Sequence, residues 1–316
     1  MKRTLVLALG GNALIRHGQA GSLDDLQENA LGMAGSVRDL VESGWSVVIV
    51  HGNGPQVGNL AYQQEESATT LPPLPLFLLD AMTQGEIGSL LDLAVRRVMG
   101  GRVDPVAVVT HVLVDPADPA FDNPTKPIGP YFDQERAQTL AKTRGWSLVD
   151  DAGRGVRRVV PSPQPRGIVE LEAIRALVEH GSLVIACGGG GIPVATTDGL
   201  LSGVDAVIDK DRAAEQLASD LGADVLALVT EVSHVALDWG TPRARNIDEI
   251  TEADAAALAA QGQFPPGSMG PKIEAGLRFL RRGGKLVVIT SPDHVLEAVE
   301  GSHGTRIVPG RSAAVA

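Results

Sequence analysis

The feature that most constrains this chain is a series of short runs, apolar at nearly every position, spaced along its length. They fall at 5–9, 46–50, 106–114, 183–187, 225–229 and 285–290. A strand with one wet face alternates apolar and polar residues. A strand apolar on both faces belongs in a parallel sheet covered by helices on each side. Between the runs, segments 24–42, 76–99, 168–180, 212–220, 251–260 and 273–281 carry helix-like spacing. The alternation predicts an α/β sandwich with a mostly parallel sheet. Ligands of such sheets sit beyond the carboxyl ends of the strands. Glycine-rich loops fall there: Gly10-Gly11-Asn12 after the first run, His51-Gly52-Asn53-Gly54 after the second and 188–191 after the fourth.

One region breaks the rhythm. Residues 115–165 are rich in proline and hold a single predicted helix at 134–143. They read as a lid-like insertion within one domain spanning 1–316, with a passive surface excursion as the alternative. The 316 residues suffice for a substantial core. A net charge of -11 argues against nucleic acid or an anionic membrane as partner. The single Cys187 excludes an internal disulfide and reads as a small core residue. The first apolar run is too short for a signal peptide, and no later run approaches membrane-spanning length, so a cytoplasmic location is expected.

In so acidic a chain the positions of individual lysines are informative. Lys210 lies between Asp209 and Asp211 where a helix opens, an end whose dipole favours anions. A bound phosphate would account for the lysine. The other reading is an aspartate cap with Lys210 in water. Lys272 also precedes a helix, after Gly267, Gly270 and Pro271, and Lys126 sits in the insertion. Fixed cations of this kind are what phosphoryl transfer requires, because charge spreads over the oxygens of the moving group. The Gly10-Gly11 and Gly52–Gly54 turns would let backbone N–H groups approach a small oxyanion. Neither a Walker A sequence nor a spaced dinucleotide fingerprint is present. His51 could touch a substrate, but a satisfied histidine at a strand end accounts for it as well.

The blocks HGNGPQVGNL (51–60), AMTQGEIG (81–88), KPIGPYF (126–132), RRVVPSPQP (157–165), GGGGIPV (188–194), GVDAVIDKDRAA (203–214) and GSMGPK (267–272) resemble, in order, the signature blocks of carbamate kinases, within the amino acid kinase superfamily. The resemblance spans nearly the whole chain. It implies a three-layer αβα sandwich on an eight-stranded sheet with a small protruding lid, a homodimer, and Mg2+-dependent reversible transfer between ATP and carbamate. ATP formation from carbamoyl phosphate, in arginine, agmatine or purine-derived catabolism, is the implied direction.

By the same resemblance, the N-terminal half holds carbamate or carbamoyl phosphate at Gly10, Gly11, Asn12, Gly52, Asn53 and Gly54, and residues from about 183 to 316 hold ATP or ADP. Lys126 acts from the lid, and Lys210 and Lys272 meet the nucleotide phosphates. Asp211 orients the lysines, Thr230, Glu231 and Met269 lie near the adenine, and Mg2+ rides on phosphate oxygens and water rather than on protein ligands. Ala8 stands where many superfamily members carry a lysine, a role Lys126 would take over. Glu86 and Ser89 depart from the larger residues of the family pattern. A carboxylate at Glu86 raises the alternative of a relative that phosphorylates another small carboxylate or phosphate. A non-catalytic nucleotide-binding regulator on the same scaffold is a separate alternative, against which the retained lysine set argues.

Overall fold

The computed structural model describes residues 3–10, 14–15, 19, 21–150, 155–265 and 267–310. Gly11 and Asn12 lie outside the described residues. The central sheet has eight strands in the order Glu249–Thr251, Thr305–Val308, Leu286–Thr290, Val225–Val229, Thr4–Leu9, Ser46–His51, Leu183–Ile185 and Pro105–Ala107. Neighbours from Leu286–Thr290 through Pro105–Ala107 pair in parallel, and Thr305–Val308 joins Leu286–Thr290 antiparallel.

Alternation along each strand divides the core in two. Leu5, Leu7 and Leu9 face one layer with Val47, Ile49, Ala227 and Val229, packed by helices Leu23–Glu42, Leu76–Met99 and Val295–Glu300. Val6 and Ala8 face the other with Val48, Val50, Leu226 and Leu228, packed by Leu171–His180, Lys210–Leu221 and Met269–Arg281. This is the three-layer arrangement that doubly apolar strands require. Among the described residues no helix is long and apolar enough to cross a membrane.

The run at 106–114 does not form one strand. Pro105–Ala107 joins the main sheet, whereas His111–Val114 joins a second sheet with Pro165–Ile168, Ile192–Thr197 and Leu200–Gly203. The break is at Thr110. Its N–H donates to Gln84 Oε1 at 2.8 Å and its carbonyl accepts from Gln84 Nε2 at 3.1 Å, so one side-chain amide replaces a neighbouring strand. The predicted strand at 183–187 likewise stops at Ile185. Cys187 turns to φ 50° and donates its N–H to Thr110 Oγ1. The helix predicted from 168 starts at Leu171, because Pro165–Ile168 is taken by the second sheet.

The insertion holds its own antiparallel sheet, Lys126–Phe132, Val156–Val160 and Ser147–Asp150, with helix Gln134–Arg144. Lys126–Phe132 is an edge strand of that sheet, where Pro127 and Pro130 are tolerated. It lies against helix Gly54–Glu66 so closely that a Cβ on Gly58 would stand 1.9 Å from the Gly129 nitrogen. Tyr62, Phe132 and Trp146 cluster beside this contact, and Arg144 and Arg158 both pair with Glu65. The insertion is therefore seated on the helix that extends from the second glycine loop.

Candidate functional site

A cavity of about 590 Å³ opens at the carboxyl edge of the sheet. Its walls come from the loops at successive strand ends: Gly10, then Gly52 to Pro55, Gly189, Thr230 and Glu231, and Ser291 to Asp293. Lys126, Pro127 and Arg157 reach it from the insertion, and Asp209, Lys210, Asp211 and Lys272 from two helix starts. The topology thus joins residues that are far apart in sequence, as a parallel sheet does at its ligand-binding edge.

Asp209 caps helix Lys210–Leu221, its carboxylate accepting from the Asp211 N–H at 2.9 Å. Its other oxygen accepts from Lys126 Nζ at 2.6 Å. Asp211, on the first turn, accepts from Lys210 Nζ at 2.7 Å and from Lys272 Nζ at 2.8 Å. The aspartate cap is therefore present, at Asp209, but Lys210 does not point into water: it pairs with Asp211 and lines the cavity. Lys210 and Lys272 are 8% and 7% exposed and Asp211 only 3%, so the pairs are largely withdrawn from water.

Three ammonium groups against two carboxylates leave the cluster one positive charge in excess, aimed into the cavity. Burial drives Lys210 down to about 8, against the pull of Asp211. For Lys272 burial acts the same way, but the Asp211 carboxylate prevails and holds it above the usual lysine range. Burial would raise Asp209, yet Lys126 and then Lys210 hold it well below the usual carboxylate range. Asp211 is held below that range in the same manner by Lys210 and Lys272. The carboxylates stay ionised and serve as fixed counter-charges that position the lysines.

At the other end, Gly52, Asn53 and Gly54 lead into helix Gly54–Glu66. Gly189 packs beneath them, and a Cβ there would fall 2.3 Å from Asn53 Nδ2. The Asn53 side chain is buried and donates through Nδ2 to Asp80 Oδ1 at 2.8 Å and to Thr83 Oγ1 at 2.9 Å. Asp80 is fully buried, which drives its carboxyl well above the usual range, and its Oδ2 has no hydrogen-bond partner among the described residues.

Lys126, Lys210, Asp211, Lys272, Gly10, Gly52, Asn53, Gly54, Thr230 and Glu231 all line the one cavity. Met269 does not. It opens helix Met269–Arg281 and packs, half-buried, on the core. His51 is buried, bonded to the Gly52 carbonyl and lowered to about 4 by burial, which makes it a structural histidine rather than a base. Burial raises the Cys187 thiol far from reactivity. Glu86 and Ser89 are on the exposed face of helix Leu76–Met99, away from the cavity lining, while Asp80, Thr83 and Gln84 of the same helix point inward.

Asp209 and Arg157 also reach the cavity, although neither carried a binding or catalytic role in the sequence. Asp209, read there only as a cap, ties Lys126 across 83 residues. Arg157 lines the cavity, donates Nε to the Gly129 carbonyl at 3.1 Å and lies over the Tyr131 ring. Its signal was its place in the block RRVVPSPQP. Among the described residues no group of three or more histidine, cysteine or carboxylate side chains is placed to hold a metal.

The model of the amino acid kinase family matches residues 3–291. The carbamate kinase of Pyrococcus horikoshii is 44% identical over 314 residues, 98% of this chain and all of that protein. Two solved structures of Giardia lamblia carbamate kinase superpose on it. The one bound to citric acid is 40% identical with a TM-score of 0.93, and the one bound to AMP-PNP is 39% identical with a TM-score of 0.88. Each covers 98% of this chain, and the match spans 99% of either structure.

Proposed function

The chain belongs to the amino acid kinase family, and from that premise we propose that it is a carbamate kinase, transferring a phosphoryl group reversibly between ATP and carbamate. One observation carries the reading. Three lysines and two aspartates from separate segments converge at one end of a cavity whose other end is lined by glycine-loop backbone. The relatives named carbamate kinase support it. ADP and carbamoyl phosphate are the substrates in the direction that forms ATP, the one expected where carbamoyl phosphate is broken down.

In that direction an oxygen of the ADP β-phosphate attacks the phosphorus of carbamoyl phosphate. The bond from phosphorus to the carbamate oxygen breaks, and carbamate departs as an anion. The leaving group is stable as an oxyanion, so neither a general acid nor a base is required, in keeping with a cavity that no histidine lines among the described residues. The protein's task is positioning and charge stabilisation. Lys210 and Lys272 hold the nucleotide phosphates, and Lys126, steadied by Asp209, meets the group in transit. Arg157 adds a fourth cation. The amides of Gly10 and of Gly52 to Gly54, with Gly11 and Asn12, receive the carbamoyl end, and the base lies toward Thr230, Glu231 and Ser291 to Asp293.

Mg2+ fits this site as part of the nucleotide. Asp209 and Asp211 are committed to lysines, and Mg2+ usually keeps waters and phosphate oxygens as its ligands. When bound it supplies charge neutralisation along the phosphates. The insertion, seated on helix Gly54–Glu66, acts as the lid that brings Lys126 in. A second copy of the chain covers the exposed apolar side of helix Leu76–Met99, where Leu78, Met82 and Leu93 stand around Gly85 and Ser89. The test of the activity is ATP production from ADP, Mg2+ and carbamoyl phosphate, monitored by a coupled assay. The expected result is turnover that depends on protein and on carbamoyl phosphate, and no ATP above the protein-free rate would overturn the reading.

A further inference from the structure

The Asn53 amide is oriented by a chain of donors. The Thr83 hydroxyl spends its hydrogen on the Asp80 carbonyl at 2.8 Å, so towards Asn53 it can only accept. Asn53 must therefore present nitrogen to Thr83 Oγ1, and the second N–H of that nitrogen goes to Asp80 Oδ1. Both amide donors are spent inside the protein. Oδ1 is left as the side chain's acceptor, with no hydrogen bond among the described residues, on a residue that is 2% exposed and lines the cavity between Gly52 and Gly54. The backbone holds the residue there as well: the Asn53 carbonyl accepts from the Val57 N–H at 2.9 Å, and Gly189 packs on the amide.

Backbone N–H groups of a glycine loop read only oxygens, so they treat any small carboxylate alike. A buried carbonyl oxygen reads the opposite chemistry and needs an N–H or O–H from the ligand. We propose that Asn53 Oδ1 is the acceptor for the amino group of carbamate and carbamoyl phosphate, and that Thr83 and Asp80 are positioning residues that keep this oxygen turned to the substrate. The inference rests on the carbamate kinase reading and deepens it: the site selects a carboxylate that bears an N–H donor over one that bears a methyl group.

The probe is acetyl phosphate, which replaces the amino group by methyl. ATP formation from carbamoyl phosphate and from acetyl phosphate is measured for the wild type, Asn53→Ala, Thr83→Val and Thr83→Ser. A methyl group would leave the buried oxygen unpaired, so the wild type is expected to favour carbamoyl phosphate in kcat/KM by about 10- to 100-fold. Asn53→Ala should remove most of that ratio, losing far more kcat/KM with carbamoyl phosphate than with acetyl phosphate. Thr83→Val should narrow the ratio, and Thr83→Ser, which retains the hydroxyl, should restore it. Equal losses on both substrates, or a ratio unchanged in Asn53→Ala and Thr83→Val, would overturn the proposal. Should Asn53→Ala not fold, the Thr83 pair decides. A wild type that uses neither substrate would overturn the carbamate kinase reading itself, an outcome separate from an unaltered ratio in an active enzyme.

Discussion

Asp211→Asn isolates the electrostatic core of the site. The substitution preserves shape but removes the charge between Lys210 and Lys272, which lie 2.7 and 2.8 Å from its two oxygens. The asparagine oxygen can still accept from one ammonium, while its NH2 group faces the other, donor against donor. The side chain is 4% exposed, so water offers little compensation. Breaking a buried pair on one side costs about 3–5 kcal/mol, and at roughly 2–4 °C per kcal/mol in a large domain the melting temperature should fall by about 6–20 °C. The cluster's excess charge rises by one, so pyrophosphate should raise the variant's melting temperature more than the wild type's. Turnover should nonetheless drop by about 100-fold or more, because the cations are no longer held in place. Thermal scans with and without pyrophosphate and steady-state ATP formation read these effects separately. A variant with wild-type melting temperature and turnover would refute the role given to Asp211.

Asp209→Asn should lower kcat by about tenfold or more with KM for ADP little changed, since it loosens the 2.6 Å hold on Lys126 while Lys210 and Lys272 keep their partner; full kinetics with each substrate check it. Gly58→Ala would put a methyl carbon 1.9 Å from the Gly129 nitrogen, and the backbone shift it forces should cost about 1–3 kcal/mol, read by denaturant unfolding and by faster proteolysis within the insertion. With Lys210 lowered to about 8 by burial, kcat/KM for ADP should decline as pH passes that value, and the limb in kcat should lie higher because bound phosphates favour the ammonium form. Unfolding restores an ordinary lysine near 10.5, so between the two values the unfolded chain holds more protons and this group's contribution to stability rises with pH.

The sandwich and its ligand edge were legible because strands buried on both faces leave a pattern that composition alone cannot imitate. Helix Leu76–Met99 matches its predicted bounds, and Val225–Val229 likewise. The illegible parts depended on long-range replacement of local partners. Nothing near Thr110 announces that Gln84 will satisfy its backbone, so the run at 106–114 reads as one strand although it serves two sheets. KPIGPYF carries no predicted element, since prolines are poor ladder residues, and only its place at a sheet edge makes it a strand. The lysines stood out against an acidic background, yet the Lys126–Asp209 pair and the chain from Thr83 and Asp80 to Asn53 join residues whose separation hides them. Met269 was placed near the base by resemblance, and the helix start turns it to the core.

The claim at the centre of this account is that Lys126 meets the phosphoryl group in transit, while Lys210 and Lys272 hold the nucleotide. The direct measurement is steady-state ATP formation by Lys126→Met with ADP and carbamoyl phosphate each varied. A fall in kcat of about 100- to 1,000-fold, with KM for ADP within roughly twofold of the wild type, is predicted. A near-normal kcat joined to a tenfold or greater rise in KM for ADP would contradict it and make Lys126 a ground-state nucleotide ligand instead.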